Sequence, residues 1–330
     1  MKKCTMLMVV FLVFSALSGC VRENESAGSS PADTATEIHY VGICFPQLEN
    51  PWFVDVKDQI VSALEAEGCK VEVASADNNQ ARQIEIVENF GTKGVDGLIL
   101  FPIGASEIGG TLEKLQSQGV RVVTFVNKVD KGNDVMLLTN NMDMGTMTAK
   151  AAAEWIDKTF PDAEPGSIEV GMLSVRTSPE SNDVCDGMAK ITEFTDKAVI
   201  VAEYEASFDN AQVKAQENTE IMFVDHPGVK VILTYNNPLV VDEVVMRTPG
   251  LDYAEFAIFS NTYDVPVVER MATMTPENQS VIRGISGAGY LGSWSHVADA
   301  MMGRLDVDEQ GISWDPLFLV TPENAKEFLD

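Results

Sequence analysis

The stretch Ile38–Val73, IHYVGICFPQLENPWFVDVKDQIVSALEAEGCKVEV, decides the fold. Ile38–Phe45 reads as an apolar strand and Pro46–Asn50 as a loop. Pro51 then opens a helix, since proline lacks an N–H that the first helical position would not use. Phe53, Val56, Ile60, Ala63 and Leu64 give that helix one apolar stripe. Gly68 stands where a helix-ending glycine belongs, before a second strand at Lys70–Ala74. The unit is β–α–β, and ligands of such folds bind beyond the carboxyl ends of the parallel strands.

Outward from this unit the pattern repeats. Further strands are expected at Gly97–Phe101, Arg121–Val126, Val135–Leu138, Ser167–Ser174, Val199–Glu203, Val229–Thr234 and Ala257–Ser260. Amphipathic helices fall between them, among them Ala81–Phe90, Ile108–Gln118 and Met144–Phe160. Continuous apolar strands separated by such helices predict an α/β protein with parallel sheets covered on both faces.

The 330 residues suit about two domains, and a hydrophobic share of 45% supplies their cores. A formal charge of −27 argues against nucleic acid, whose phosphates call for Lys and Arg, and against anionic lipid surfaces. The amino end is more specific. Lys2 and Lys3 precede a short apolar run, Met6–Leu17, and then Leu17-Ser18-Gly19-Cys20, which resembles a bacterial lipobox. Residues 1–19 are thus expected to be a lipoprotein signal peptide and Cys20 a diacylated anchor. Their release leaves 21 basic against 50 acidic residues, a charge of −29. Residues 20–37, rich in Ser, Ala and Glu, read as a flexible tether. Cys44, Cys69 and Cys185 have no metal-ligand spacing and are expected to be buried thiols.

The strands share a habit at their carboxyl ends. Asn50 follows the first, Asn78 and Asn79 the second, Asn127 the fourth, and Asn140 and Asn141 the fifth. Ser178 and Glu180, Phe208, Asn236 and Asn237, and Asn261 follow the later ones. Each Asn also suits a turn or helix cap. Their coincidence with the ligand-binding edge favours binding.

In Asn50-Pro51-Trp52-Phe53, Asp77-Asn78-Asn79, the run Gly94–Leu100 and Val122–Lys128, the chain resembles the ribose/galactose-type periplasmic binding proteins of ABC importers. Those proteins share their fold with the ligand-binding domain of the lactose-repressor type. The resemblance implies two Rossmann-like lobes joined by three hinge crossings, closing on a sugar. It implies an N-terminal lobe of residues 38–140 plus 287–318 and a C-terminal lobe of 141–286 plus 319–330. Hinges are expected at Thr139–Asn141, Ser286–Gly289 and near Leu317–Val320. It further implies ligand contacts from Asn50, Trp52 or Phe53, Asn127, Ser178 and Glu180 flanking Pro179, Phe208, Asn237, Asn261 and Ser286. Two positions depart from the family: Val184 stands where an Arg is usual and Pro238 where an Asp is usual. Both put the family's usual pentose or hexose in question.

The chemistry agrees with a hydroxylated ligand. A carboxamide offers both donor and acceptor to vicinal hydroxyls, and aromatic faces cover C–H surface. Enzymatic readings find little support. His39, His226 and His296 are scattered, and Gly284-Ile285-Ser286-Gly287-Ala288 departs from G-x-S-x-G at its last residue. No nucleotide-binding glycine motif is present, and Met142, Met144, Met147, Met271, Met274, Met301 and Met302 read as core filling. The expectation is therefore a monomeric binding protein without cofactor or metal. Its partners would be a small neutral solute and an ABC permease, with no nucleic acid and with the membrane touched only by the lipid. The alternative is a lipoprotein receptor that presents such a solute to a sensor kinase or chemoreceptor.

Overall fold

A computed structural model describes residues 38–49, 51–207, 210–261, 263–275, 279–289 and 293–329, with the backbone alone at Pro51 and Trp52. The lipobox, Cys20 and the tether lie outside these residues. No described helix is long and apolar enough to cross a membrane.

Strands and helices alternate through the first half: β1 (Tyr40–Phe45), α1 (Pro51–Ala66), β2 (Lys70–Ser75), α2 (Gln80–Lys93), β3 (Gly97–Leu100), α3 (Gly109–Ser117), β4 (Arg121–Phe125) and β5 (Val135–Leu138). The second half repeats the scheme. It comprises α4 (Asn141–Thr159), β6 (Ile168–Val175), α5 (Pro179–Ala189), α6 (Ile191–Phe194), β7 (Ala198–Ala206), α7 (Ala211–Asp225), β8 (Val229–Thr234), α8 (Pro238–Arg247), β9 (Ala257–Ser260), α9 (Val265–Ala272) and β10 (Ile282–Ala288). The chain then returns through α10 (His296–Met301) and β11 (Ile312–Trp314) and ends beyond β12 (Leu317–Val320). All nine expected strands form, and Gly68 takes its helix-ending conformation at φ 83°.

Two six-stranded sheets result, ordered β11-β5-β4-β3-β1-β2 and β12-β10-β9-β8-β6-β7. Apolar residues on both sides of the central strands explain why helices cover both faces. In the first sheet Val41, Ile43 and Phe45 pack under α1 and α10, while Leu98, Leu100 and Val122 pack under α2 and α3. Burying Val56, Ile60 and Leu64 of α1 contributes roughly 1.5–3 kcal/mol for each side chain. In the second sheet Val170, Met172, Val231 and Phe259 meet α4 and α5, while Ile232, Ile258 and Ile285 meet α7, α8 and α9.

Three connections join the sheets: Thr139–Asn140, the segment from Gly289 to Ser295, and Asp315–Pro316. Two of these differ from expectation. Ser286–Ala288 and Leu317–Val320 are not crossings but the paired strands β10 and β12. Gly287, expected in a hinge, and its neighbour Gly284 serve close packing: a Cβ on Gly284 would stand 2.8 Å from the Phe259 ring and one on Gly287 2.5 Å from the Phe318 ring, whereas Gly289, at φ 90°, does open the second crossing. The lobe boundaries expected after Ser286 and Phe318 therefore fall inside strands of the second sheet. The crossings are bound to one another. Thr139 Oγ1 of the first donates to Asp315 Oδ2 of the third at 2.7 Å. Nε2 of His296, just past the second, lies 3.7 Å from Asp315 Oδ1. All three connect the carboxyl-end edges of the sheets, so the loops that follow the parallel strands of both lobes gather there.

Candidate functional site

The rim of the first sheet is built on a cluster of edge-packed and tilted rings. Phe45 ends β1, Phe125 ends β4, Phe101 follows β3, Phe53 comes from the first turn of α1, and Trp294 lies in the second crossing. Successive centroids lie 6.4 Å apart for Phe45–Phe53, 5.4 Å for Phe53–Phe101, 5.3 Å for Phe101–Phe125 and 5.9 Å for Phe125–Trp294. Edge and tilted geometries of this kind add about 0.5–1.5 kcal/mol per pair beyond burial. Phe53 is thus half-buried in an aromatic cluster. The Asn50 residue and the Trp52 side chain lie outside the described residues.

Above the rings the loop after β3 is clamped by Gln83 of α2, itself fully buried. Its Nε2 donates to Phe101 O at 2.9 Å and its Oε1 accepts from Ile103 N at 2.9 Å. The loop's Pro102 O in turn accepts from Asn127 Nδ2 at 2.8 Å. One N–H of the Asn127 carboxamide is therefore committed to the protein, which leaves the second N–H to donate and the carbonyl oxygen to accept. The preceding residue, Val126, has φ 68° and closes a tight turn in which Asn127 N donates to Phe125 O at 2.9 Å. A β-branched residue in this left-handed region costs of the order of 1–3 kcal/mol. After β2, Asp77 and Asn78 are also left-handed at φ 50° and 54°, and Asn79 caps α2 by accepting from Arg82 N at 3.0 Å.

The rim of the second sheet is polar. Ser178 caps α5 reciprocally with Ser181, which leaves Glu180 exposed in the first helical turn. Phe208 lies outside the described residues. After β8, Asn236 and Asn237 adopt φ 63° and 54°, a pair of left-handed residues that Asn tolerates well. Asn236 N donates to Oδ1 of buried Asn261 at 3.3 Å. The Asn237 side chain makes no capping bond to α8 and lines a cleft of about 640 Å³ together with Gln212, Asn236, Glu243 and Asp264. Nearby, burial pushes the Tyr235 hydroxyl up to about 12, so it stays protonated as a donor.

The expected contacts therefore divide. Asn127, Ser178, Glu180, Asn237 and Asn261 stand on the two rims, and Phe53 lies beneath one of them. Ser286 does not: it is fully buried, 2.6 Å from Thr148 Oγ1, and it donates to Met144 O at 3.2 Å, tying β10 to α4. The two departures from the family gain a physical reading. Val184 is buried in the core between α4 and α5, and Pro238 opens α8 as its buried first residue. Arg176, the guanidinium on this rim, is held by Glu203 at 2.6 Å and Asp186 at 2.8 Å. Sequence reasoning missed Gln83, Phe101, Phe125 and Trp294. The first three sit in apolar-looking strand and helix patterns, and Trp294 comes from a distant crossing.

The thiols are inert: Cys44, Cys69 and Cys185 are free and buried, and desolvation raises all three, Cys44 to about 12. Among the described residues no group of His, Cys, Asp and Glu could hold a metal ion.

Fold and rims together define a two-lobed α/β binding protein. The periplasmic binding protein domain model matches residues 41–243, and the chain belongs to that family, whose members work outside the cytoplasm. The chain is 24% identical over 241 residues to the ribose import binding protein of Bacillus subtilis, covering 72% of this chain and 75% of that protein. A crystal structure from Mycobacterium smegmatis superposes with a TM-score of 0.69 at 18% identity, covering 89% of this chain and 94% of the other. A solute-binding protein from Actinobacillus succinogenes, solved with D-allose, gives 0.66 at 16% identity, with coverage of 88% and 99%.

Proposed function

We propose that this chain is a lipid-anchored, non-catalytic solute-binding protein that captures a neutral hydroxylated ligand, a sugar or polyol, between its lobes for an ABC importer. The observation that carries the reading is the set of carboxamides on both rims: Asn127 on the first, Asn237 and Asn261 on the second. Buried amides that lose a partner cost about 1–3 kcal/mol each, so such a site rejects ligands without matching hydroxyls. A ligand touching both rims binds the closed arrangement better than the open one and shifts the equilibrium toward it. Asn50, Trp52, Phe53, Phe208, Ser178 and Glu180 are proposed as further contacts. The relatives named for ribose import and solved with D-allose support a sugar, and the lipobox ending at Cys20 supports the anchor.

The test is a thermal-shift screen of the chain from Ser30 onward against monosaccharides, polyols, nucleosides and amino acids. A ligand of the folded state raises the melting temperature by mass action. Sugars are expected to raise it, and Asn127→Ala or Asn237→Ala to remove most of that rise with little change in the unliganded melt. A response to amino acids or nucleosides alone would overturn the sugar assignment. Wild-type responses from both mutants would move the site elsewhere.

A further inference from the structure

Val126 combines two unfavourable features. It holds a positive φ of 68° at the centre of a three-residue turn, where only Gly would sit without strain, and its apolar side chain is 36% exposed. Val126 lies outside the four apolar cores of the described residues. The conformation is nonetheless firmly held, by Val126 N donating to Leu137 O at 3.0 Å and by Asn127 N donating to Phe125 O at 2.9 Å. It sits on the rim, next to Asn127.

The second lobe supplies a contrast. Both sheets share one strand order, so β4 corresponds to β9. Thr124 pairs with Leu100 and Ser260 with Thr234, so in register Phe125 answers to Asn261, a buried carboxamide. One rim is thus apolar where the other is polar, and Val126 continues the apolar side by one residue.

We infer that Val126 is a specificity-determining residue whose isopropyl group meets a carbon of the ligand that bears no hydroxyl, a deoxy or methyl carbon. The inference rests on the sugar-binding reading and narrows it. A hydroxyl turned toward Val126 would lose its water and gain no partner, whereas a methyl group would bury apolar surface.

The test uses the full mature chain and calorimetric titration with two matched pairs, D-galactose against 6-deoxy-D-galactose and D-ribose against 5-deoxy-D-ribose. Wild type is expected to bind the deoxy member of at least one pair about tenfold more tightly than its parent. Val126→Thr, which keeps the β-branched shape and adds a hydroxyl, is expected to abolish or invert that ratio. Val126→Gly is expected to melt about 2 °C higher without ligand and to lose the discrimination. The inference is overturned if wild type binds the sugars but neither deoxy member more tightly than its parent, or if both variants keep the wild-type ratio. A wild type blind to all four sugars overturns the sugar reading and this inference with it, so the two failures are distinguishable.

Discussion

The two lobes share a plan but differ at their rims. Each sheet places its first strand second from one edge, adds four more parallel strands in the same order, and takes a sixth from the end of the chain. The sixth strands differ: β11 runs parallel to β5, whereas β12 runs antiparallel to β10. Only Asp315 and Pro316 separate β11 from β12, so the chain passes straight from one sheet's edge into the other and must run back along it. The rims diverge further. The first is an aromatic cluster under a strained turn, and the second a row of carboxamides over glycine-mediated helix packing. Repetition of the fold thus leaves the chemistry free to differ, and the two sides can read different faces of one ligand.

The comparison can be broken from the first lobe. Phe125 is fully buried and touches Phe45, Phe101 and Trp294. Phe125→Ala is expected to cost about 3–5 kcal/mol, measured by urea unfolding, with faster amide exchange confined to the first sheet. Exchange spreading equally into β6–β10 would mean that the lobes do not hold their stability separately.

The second lobe has a smaller counterpart. Helices α4 and α5 approach backbone to backbone at Gly145 and Gly187: a Cβ on Gly145 would stand 2.1 Å from the Val184 carbonyl oxygen, and one on Gly187 2.4 Å from that of Met142. Gly145→Ala is therefore expected to cost about 1–3 kcal/mol by forcing the helices apart, with faster exchange confined to α4, α5 and β6. An unchanged unfolding midpoint would show that the contact yields without cost.

The smallest effect belongs to the joint. Burial holds the imidazole of His296 below its usual 6.5, against the opposing pull of Asp315, Asp299 and the Ser293 carbonyl. Between the depressed folded value and 6.5 the unfolded chain binds a proton that the folded chain does not, so stability falls as pH drops through that window. His296→Gln should flatten this part of the slope when urea midpoints are compared from pH 8 to 5. Parallel curves for the two proteins would remove His296 from the account.

Much of this architecture was legible in the chain. The alternation of apolar runs with amphipathic helices located nine strands, because a strand buried on both faces must be apolar throughout. The asparagines that follow the strands located both rims. Legibility failed where one residue type serves two purposes. Gly287 resembles a hinge glycine, yet it makes room for Phe318. Ser286 resembles a rim residue, yet its hydroxyl is used between β10 and α4. Trp294 and His296 gave no signal, since their partners Phe125 and Asp315 are remote in sequence or on another segment.

By itself the sequence determined the order of strands and helices, the acidic surface and the run of amides at the strand ends, all of which follow from local pattern and side-chain chemistry. Only the tertiary structure decided which amides keep a free atom, which glycines admit an aromatic ring, and that Val126 is held in a strained turn on an otherwise aromatic rim. Those outcomes depend on neighbours brought from distant segments, and no local pattern records them.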